Sequence, residues 1–268
     1  MNERCASVTK WDGKTEFYWR EKFNNQSGVE QMLSVALRRL TNAGTDRVAW
    51  ADVFKYFNAI HEGQARDYRK GEKVALKINL NTVYGQYADN NGNGLTPQFL
   101  KAVLRQLVNV VGVQQEDICL YDAARWIPPS MFDAPEGSHK EFPRVHFVDN
   151  AGQLGREKVV PDPNGHLYFS DKNVPAYDVC LLPTCVTQAK YVVLIDNFRG
   201  HDMAGVTLSG KNWFGSIYRP DCVCGAAGPV RGHLIFGASL EVHPLADFAV
   251  VACVRCSGAH GLFTHSPT

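Results

Sequence analysis

The sequence lacks any apolar stretch long enough to cross a membrane, and its charges nearly cancel. No run approaches the roughly 18–20 apolar residues that a bilayer-spanning helix needs. The 28 Lys and Arg against 27 Asp and Glu leave a formal net charge of +1, which gives no electrostatic reason to expect a nucleic acid or a membrane surface as partner. The N-terminal segment MNERCASVTKWDGK has no signal-peptide core, so we expect a cytoplasmic protein.

Several catalytic signatures are also absent. No G-x-S-x-G elbow occurs, which disfavours a serine hydrolase of the α/β type. No G-x-G-x-x-G follows a predicted strand, and the SGKN tetrapeptide at residues 209–212 lacks the spacing of a phosphate loop. A dinucleotide enzyme and a P-loop NTPase are therefore disfavoured too.

Two amphipathic helices are predicted near the N-terminus. In the first, QSGVEQMLSVALRRLTNAG, Ser27 and Glu30 have the spacing of a capping box, and Gly44 is a typical end signal. The second lies in TDRVAWADVFKYFNAIHEG. Its predicted buried side consists of Val48, Val53, Phe54, Phe57 and Ile60.

A strand–helix–strand pattern follows these helices. EKVALKINLN alternates as a strand does, TPQFLKAVLRQLVNVVG begins a helix with Thr96 as cap and Pro97 at the first position, and DICLYDAAR is a strand that ends at Asp122. KYVVLIDNF is a further strand, and GVTLSGKNWFGSI is a short helix or turn over the strand ends. We therefore expect an α/β fold with a mainly parallel sheet and helices on both faces.

The chain divides at about residue 221. Residues 1–221 are predicted to form one α/β domain, with two N-terminal helices before a βαβ core. Residues 222–268 contain four Cys and four His, no Lys and no clear helix. We expect an irregular C-terminal tail there.

Residues 73–217 resemble the bacterial family called domain of unknown function 362. The resemblance lies in KINLN, in LYDAAR and above all in LPTCVTQAKYVVLIDNFRGHDMAGVTLSGKNWFGSI at residues 182–217. It implies an α/β core with a polar site built from these motifs, and it supplies no reaction. The helices at the N-terminus are similar to the branch of the family that is usually exported with a twin-arginine signal. The ferredoxin-type cysteine runs of some relatives are absent here.

Polar residues cluster where strands are predicted to end. In an open parallel sheet, ligands bind beyond the carboxyl ends of the strands, so we expect these residues to share one edge. An alternative is that Asn79 and Asp122 only cap following helices, but capping does not explain Lys77 or Lys211. The predicted substrate-binding residues are Lys77, Asn79, Asn81, Thr207 and Asn212.

His201 is the strongest candidate for general acid/base catalysis. It lies in the polar segment FRGHDMAG after a strand, and imidazole titrates near neutral pH. Asp202 or Asp196 would orient it. Lys211 and Asn212 would stabilise a developing oxyanion, and Asp122 would hold a metal or a water molecule.

The loop YADNNGNGLT contains half of a calcium motif. Asp89, Asn91, Asn93 and Gly94 match D-x-N-x-N-G, whose alternate side chains converge their oxygens on the ion. The Glu expected at the twelfth position is Leu100 instead, and a plain Asn/Gly turn explains the same letters. Calcium bound by Asp89, Asn91 and Asn93 is thus one of two interpretations.

Three functions remain open at this point. The first is a hydrolase of small oxygen esters or lactones assisted by a divalent cation, calcium above all. The second is a redox protein with zinc or an iron–sulfur cluster in the tail, held by Cys222, Cys224, Cys253 and Cys256. The third is a non-catalytic binder of small anions, with Lys77 and Lys211 as the clamp. We expect a small-molecule substrate as the partner, with no nucleic acid and no membrane, and the sequence indicates no oligomeric state.

Overall fold

The protein is described from a computed structural model. The structure describes residues 16–80, 85–89, 95–166, 168–169, 174–175, 181–196, 199–201, 205–207 and 212–216. The α-helices are α1 (Gln26–Thr41), α2 (Asp46–Glu62), α3 (Pro97–Arg105) and α4 (Thr184–Thr187). The strands are β1 (Val74–Ile78), β2 (Ile118–Asp122), β3 (His146–Asp149), β4 (Glu157–Lys158), β5 (Pro161–His166), β6 (Tyr168–Phe169), β7 (Val174–Pro175), β8 (Leu181–Pro183), β9 (Tyr191–Ile195), β10 (Arg199–His201) and β11 (Gly205–Thr207).

The caps of helix α1 are not the residues that the sequence predicted. Its N-cap is Asn25, whose side chain accepts a hydrogen bond from the Gly28 amide at 3.2 Å. The Ser27 hydroxyl donates to Asn25 Oδ1 instead of capping the helix itself. The helix ends at Asn42, which takes the left-handed conformation at φ 55° that the prediction had assigned to a glycine. The predicted capping box was wrong because Asn25, another strong N-cap residue, lies just upstream.

Helix α2 buries a different stripe from the predicted one. Thr45 caps its start, and Gly63 ends it at φ 69°. The prediction is confirmed for Val53, Phe54 and Phe57, but Val48 and Ile60 are 47% and 52% exposed. Ala49 and Trp50 are buried in their place.

The predicted strand–helix–strand unit is confirmed. Strands β1 and β2 pair in parallel, with Lys77 opposite Tyr121. Thr96 caps α3 through the Phe99 amide, and Pro97 occupies the first turn. The helix continues as a π-helical segment over Gln106–Val111, and Gly112 ends it.

One five-stranded sheet organises the molecule. Its order is β4-β3-β2-β1-β9, and every neighbouring pair is parallel. The outer strand β4 has only two residues, both exposed. The remaining strand pairs, β5 with β8, β6 with β7 and β10 with β11, are antiparallel.

Apolar side chains cover both faces of this sheet. On one face α1, α2 and α3 pack against Leu76, Leu120 and Val193. On the other face Val186 of α4 and Trp213 pack against Val192. The chain is therefore an α/β protein with a parallel sheet and helices on both faces, as predicted. Within the part of the chain described here, no helix combines the length and apolar character needed to cross a bilayer.

Candidate functional site at the carboxyl edge of the sheet

Oxygen-bearing side chains follow one another along the carboxyl edge of the sheet. Asp149 ends β3, and Asp122 lies opposite it at the end of β2. Asn79 and Asp196 come directly after β1 and β9, which pair up to Ile78 and Ile195. All four are at most 3% exposed. This edge therefore concentrates buried polar groups on four adjacent strands.

A buried ion pair occupies the centre of this edge. Lys77 Nζ lies 2.8 Å from Asp122 Oδ2, and the two side chains are 1% and 3% exposed. The Lys77 ammonium also donates to Asn212 Oδ1 at 3.0 Å and to the Ile78 carbonyl at 2.5 Å. An ammonium carries three N–H donors, so these acceptors use all of them.

Asn212 holds the ion pair against the sheet. Its Nδ2 donates to the Lys77 and Ile195 carbonyls, each at 3.2 Å, while its Oδ1 accepts from Lys77 Nζ. The carboxylate of Asp122 is fixed from the other side, since its Oδ1 accepts from the Ala124 amide at 2.9 Å. Both charged groups are thus fixed in position by hydrogen bonds as well as by each other.

A short 3₁₀ turn, Trp213–Ser216, covers the pair. The Gly215 carbonyl accepts from the Ala123 amide at 2.8 Å, and Ser216 Oγ lies 2.9 Å from the Tyr121 hydroxyl. A Cβ at Gly215 would lie 2.7 Å from Lys77 Nζ and 2.9 Å from Asp122 Oδ2. Only glycine lets the turn approach the two charges this closely.

Asp149 forms a second buried polar group beside the first. Its Oδ1 accepts from the Gly152 amide at 2.7 Å and from the Tyr87 hydroxyl at 3.2 Å, and its Oδ2 accepts from the Ile127 amide at 3.1 Å. Burial outweighs these donors and raises the pKa of Asp149 above its ordinary value.

The guanidinium of Arg156 lies in the same region. Its central carbon is 4.1 Å from the centroid of the Phe132 ring and 4.9 Å from that of Tyr87. Burial lowers the pKa of Arg156. The Asp149 side of the edge is therefore polar but closed by aromatic rings.

The structure brings several predicted site residues together and separates others. Lys77 contacts both Asp122 and Asn212, and Asn79 lies at the same edge, directly after β1. Asp89 is not in contact with these residues: its Oδ1 accepts from the Ser130 amide at 3.0 Å, and its charge acts on Arg156, on the Asp149 side of the edge.

The structure describes the other predicted residues in part or not at all. His201 and Thr207 have a described backbone only, in β10 and β11. The predicted positions that are not described are Asn81, Asn91, Asn93, Lys211, Cys222, Cys224, Cys253 and Cys256. The tail of residues 222–268 and its proposed metal site lie outside the described residues as well.

Asp149 and Gly215 were missed by the sequence reasoning. Asp149 had a usable signal, because HFVDN repeats the pattern of VVLIDN: a buried strand, then Asp and Asn. Gly215 had none, since its importance comes from a contact with residues far away in the sequence.

The donor set at this edge suits a hard cation better than a soft one. Asp122, Asp196 and Asn79 offer oxygen atoms, the ligands that Ca²⁺ and Mg²⁺ prefer. Among the described residues, no three His, Cys, Asp or Glu side chains form a group able to hold a metal. A cation here would therefore combine a carboxylate with amide oxygens, carbonyl oxygens and water, as Mg²⁺ commonly does.

The fold and the edge together define a class: an α/β protein with a parallel sheet and a buried polar site at its carboxyl edge. The family model described as Domain of unknown function (DUF362) matches residues 74–227, more than half of the chain. The protein therefore belongs to this family. The match includes Lys77, Asn79, Asp122 and Asn212. No curated protein matches the chain.

Proposed function

We propose that the protein hydrolyses small oxygen esters or lactones at the carboxyl edge of its sheet, with the assistance of a divalent cation. The observation that carries the proposal is the buried Lys77–Asp122 pair with its complete set of hydrogen bonds. Burying two charges costs free energy that the attraction between them often fails to recover, so such a pair is weak evidence for stability. Its position at the usual ligand-binding edge of a parallel sheet supports a role in function.

In this proposal the Asp122 carboxylate holds a water molecule or the cation, and Lys77 positions that carboxylate. One oxygen of the Asp122 carboxylate accepts a hydrogen bond from Lys77 Nζ, and the other accepts one from the Ala124 amide. These two bonds fix the plane of the carboxylate. Asn212 is a positioning residue as well, because its Nδ2 already donates to two backbone carbonyls. This revises its expected role as an oxyanion donor.

The segment between Asp196 and Asn212 would carry the other catalytic groups. It starts at the end of β9 and returns to the same edge, where Asn212 contacts Lys77. His201, Thr207 and Lys211 all belong to this segment. We assign proton transfer to His201, oxyanion stabilisation to Lys211 and substrate contact to Thr207.

A bound divalent cation would polarise the ester carbonyl and lower the pKa of a bound water molecule. The oxygens of Asp122, Asp196 and Asn79 are the candidate ligands at the edge. The loop containing Asp89, Asn91 and Asn93 remains the second candidate, with calcium as its ion. With a single carboxylate in that loop, binding is expected to be weak, on the order of 10⁻⁴–10⁻³ M.

Two alternative functions remain. A small-anion binder would use Lys77 as a clamp, but the three N–H donors of Lys77 are engaged by protein acceptors. A redox protein would depend on Cys222, Cys224, Cys253 and Cys256, which the described residues do not include.

The proposal is tested by a screen of nitrophenyl esters and aliphatic lactones, with added Ca²⁺ or Mg²⁺ and with a chelator. We expect cation-dependent turnover that falls about 10²–10⁴-fold in His201→Ala, the usual contribution of general acid/base catalysis. The matched control is His146→Ala, since His146 lies at the start of β3, at the opposite end of the sheet. Asp122→Asn is expected to lose activity together with cation dependence.

Wild-type protein that turns over no ester or lactone under any of these conditions would refute the proposal. So would equal activity in His201→Ala and His146→Ala. A circular dichroism spectrum for each variant separates loss of chemistry from loss of fold.

A further inference from the structure

A cavity lies at the end of the sheet opposite the candidate site. It has a volume of about 190 Å³ and is lined by residues at the starts of β1, β2 and β3 and by α4. Charged and polar side chains border it, among them Lys73, His146 and Glu157. Two cysteines, Cys119 of β2 and Cys185 of α4, line the same cavity.

The two thiols are neighbours across the interface between strand and helix. Both side chains pack against the apolar cluster on the second face of the sheet, and both are only partly buried. Neither belongs to a disulfide. Both side chains line the wall of the same cavity, which makes them neighbours. Burial, together with a hydrogen bond with the Cys185 thiol, raises the pKa of Cys119 well above its ordinary value.

We infer that Cys119 and Cys185 form a redox-active dithiol, which a low-molecular-weight disulfide oxidises to an intramolecular disulfide. A cysteine that serves only as a small apolar side chain is usually fully buried. Here two of them line one cavity that polar side chains border, and both residues are partly exposed.

The reaction consists of two thiol–disulfide exchanges. The Cys185 thiolate attacks one sulfur of the reagent RSSR, so that a bond forms between Cys185 Sγ and that sulfur while the S–S bond breaks and RS⁻ leaves. The Cys119 thiolate then attacks Cys185 Sγ, closes the protein disulfide and releases a second RS⁻. The two protons from the protein thiols end on the two released thiolates, so the protein loses two electrons and RSSR gains them.

The order of attack follows from the surroundings of the sulfurs. Cys119 belongs to a central strand of the sheet, and its raised pKa lowers its thiolate fraction, so it is the slower nucleophile of the two. Cys185 lies in the four-residue helix α4 on the sheet surface. Cys185 is therefore the attacking residue and Cys119 the resolving one.

The experiment uses the full chain, reduced and then treated with 2-hydroxyethyl disulfide under native conditions. Remaining thiols are alkylated, the protein is digested with trypsin, and cross-linked peptides are identified by mass spectrometry. We expect one linked pair that joins the peptide of Cys119 to the peptide of Cys185. The latter tryptic peptide also contains Cys180, so Cys180→Ser is the matched control.

The variants make the outcome decisive. The linked peptide is expected to persist in Cys180→Ser and to disappear in Cys185→Ser and Cys119→Ser. In Cys119→Ser, Cys185 is expected to retain one hydroxyethylthio group, because the resolving thiol is missing. The melting temperature is expected to rise on oxidation of the wild type and to stay unchanged in Cys185→Ser, since a cross-link restricts the unfolded chain.

Three results would overturn the inference. One is a linked peptide that survives Cys185→Ser. Another is a wild type that carries mixed disulfides on both cysteines without joining them. The last is a native protein in which neither thiol reacts, although both react after unfolding in urea.

Discussion

Lys77 is important for stability because it neutralises a buried carboxylate. Its ammonium is 1% exposed and neutralises a carboxylate that is also buried. An unpaired charge in such a place keeps the full cost of leaving water. The stability of this region therefore depends on both partners being present.

Removing only the positive charge should be strongly destabilising. We expect Lys77→Met to lower the free energy of unfolding by about 3–5 kcal/mol, because Asp122 is left buried and unpaired. Lys55→Met is the control, since Lys55 forms an exposed pair with Asp52 and its loss should cost under about 1 kcal/mol. Urea unfolding at pH 7 measures both. The double variant Lys77→Met/Asp122→Leu is expected to recover part of the loss, and an equal loss in single and double variants would contradict the argument.

The sequence alone identified several residues of this candidate site, but the contacts between them depend on the three-dimensional fold. Lys77, Asp122 and Asn212 were predicted to share one edge because each is polar and close to the end of a predicted strand or segment, and the structure places them together there. The contact between Lys77 and Asn212 was not predictable, since the two residues are 135 positions apart in the sequence and come together only in the folded sheet. The sequence therefore suggested Lys77 as a substrate clamp, whereas the structure shows its donors bound to protein.

At the scale of elements, a polar network ties α2 to the edge strand β9. Asn58 Nδ2 of α2 donates to the Tyr191 hydroxyl at 3.0 Å, and that hydroxyl donates to Glu72 Oε2 at 2.9 Å. Arg66 forms an ion pair with Glu72 at 2.6 Å. Burial and the Glu72 charge raise the pKa of Tyr191 to about 12.

This network predicts a loss of stability in acid. Burial acts to raise the pKa of Glu72, but hydrogen bonds from Arg66, the Arg69 amide and Tyr191 hold it below its ordinary value of 4.5. Between the folded and unfolded pKa values the unfolded state binds more protons, so the stabilisation is complete at pH 7 and is lost as the pH falls below 4.5 through the folded pKa.

Glu72→Gln is expected to reduce the free energy of unfolding by about 1.5–3 kcal/mol at pH 7, the range for hydrogen bonds to charged groups. The difference from wild type should shrink as the pH is lowered from 5 towards 3, because wild-type Glu72 then becomes neutral as well. Urea unfolding across this pH series measures it. Glu116→Gln, at a half-exposed surface pair, is the control. A gap that stays constant with pH would show that the glutamate charge is not responsible.

The elements themselves were largely predictable, and their ends were not. The strand predicted for VALKI and the Thr-Pro start predicted for α3 depend on local sequence, and both are confirmed. The predicted start of α1 was wrong because Asn25 and Ser27, two positions apart, are both good N-cap residues, and Asn25 caps the helix. The stripe of α2 was wrong for Val48 and Ile60, because burial depends on where α1 and the sheet lie around the helix.

At the scale of the whole molecule, one sheet joins two apolar clusters. Trp50 belongs to the cluster on the helical face, and Trp213 to the cluster on the other face. Both clusters share the strands between them. We therefore expect the described domain to unfold as a cooperative unit.

Leu104→Ala tests this cooperativity. Leu104 is 0% exposed beneath α1, and truncating a buried leucine costs about 2–5 kcal/mol. Circular dichroism and tryptophan fluorescence should report the same shifted transition, including the signal from Trp213 on the far face. Leu40→Ala, at a residue 69% exposed, should change the midpoint little. Two separate transitions in Leu104→Ala would mean that the faces unfold independently.

The outer strand β4 has a consequence for how copies of the molecule meet. It offers only Glu157 and Lys158, both solvent-facing, at the border of a sheet that otherwise consists of longer strands. A strand from another molecule could form only a few backbone hydrogen bonds with β4, and pairing there would bring it against the charged side chains of Glu157 and Lys158. Growth of the sheet into a fibril is therefore disfavoured from this side.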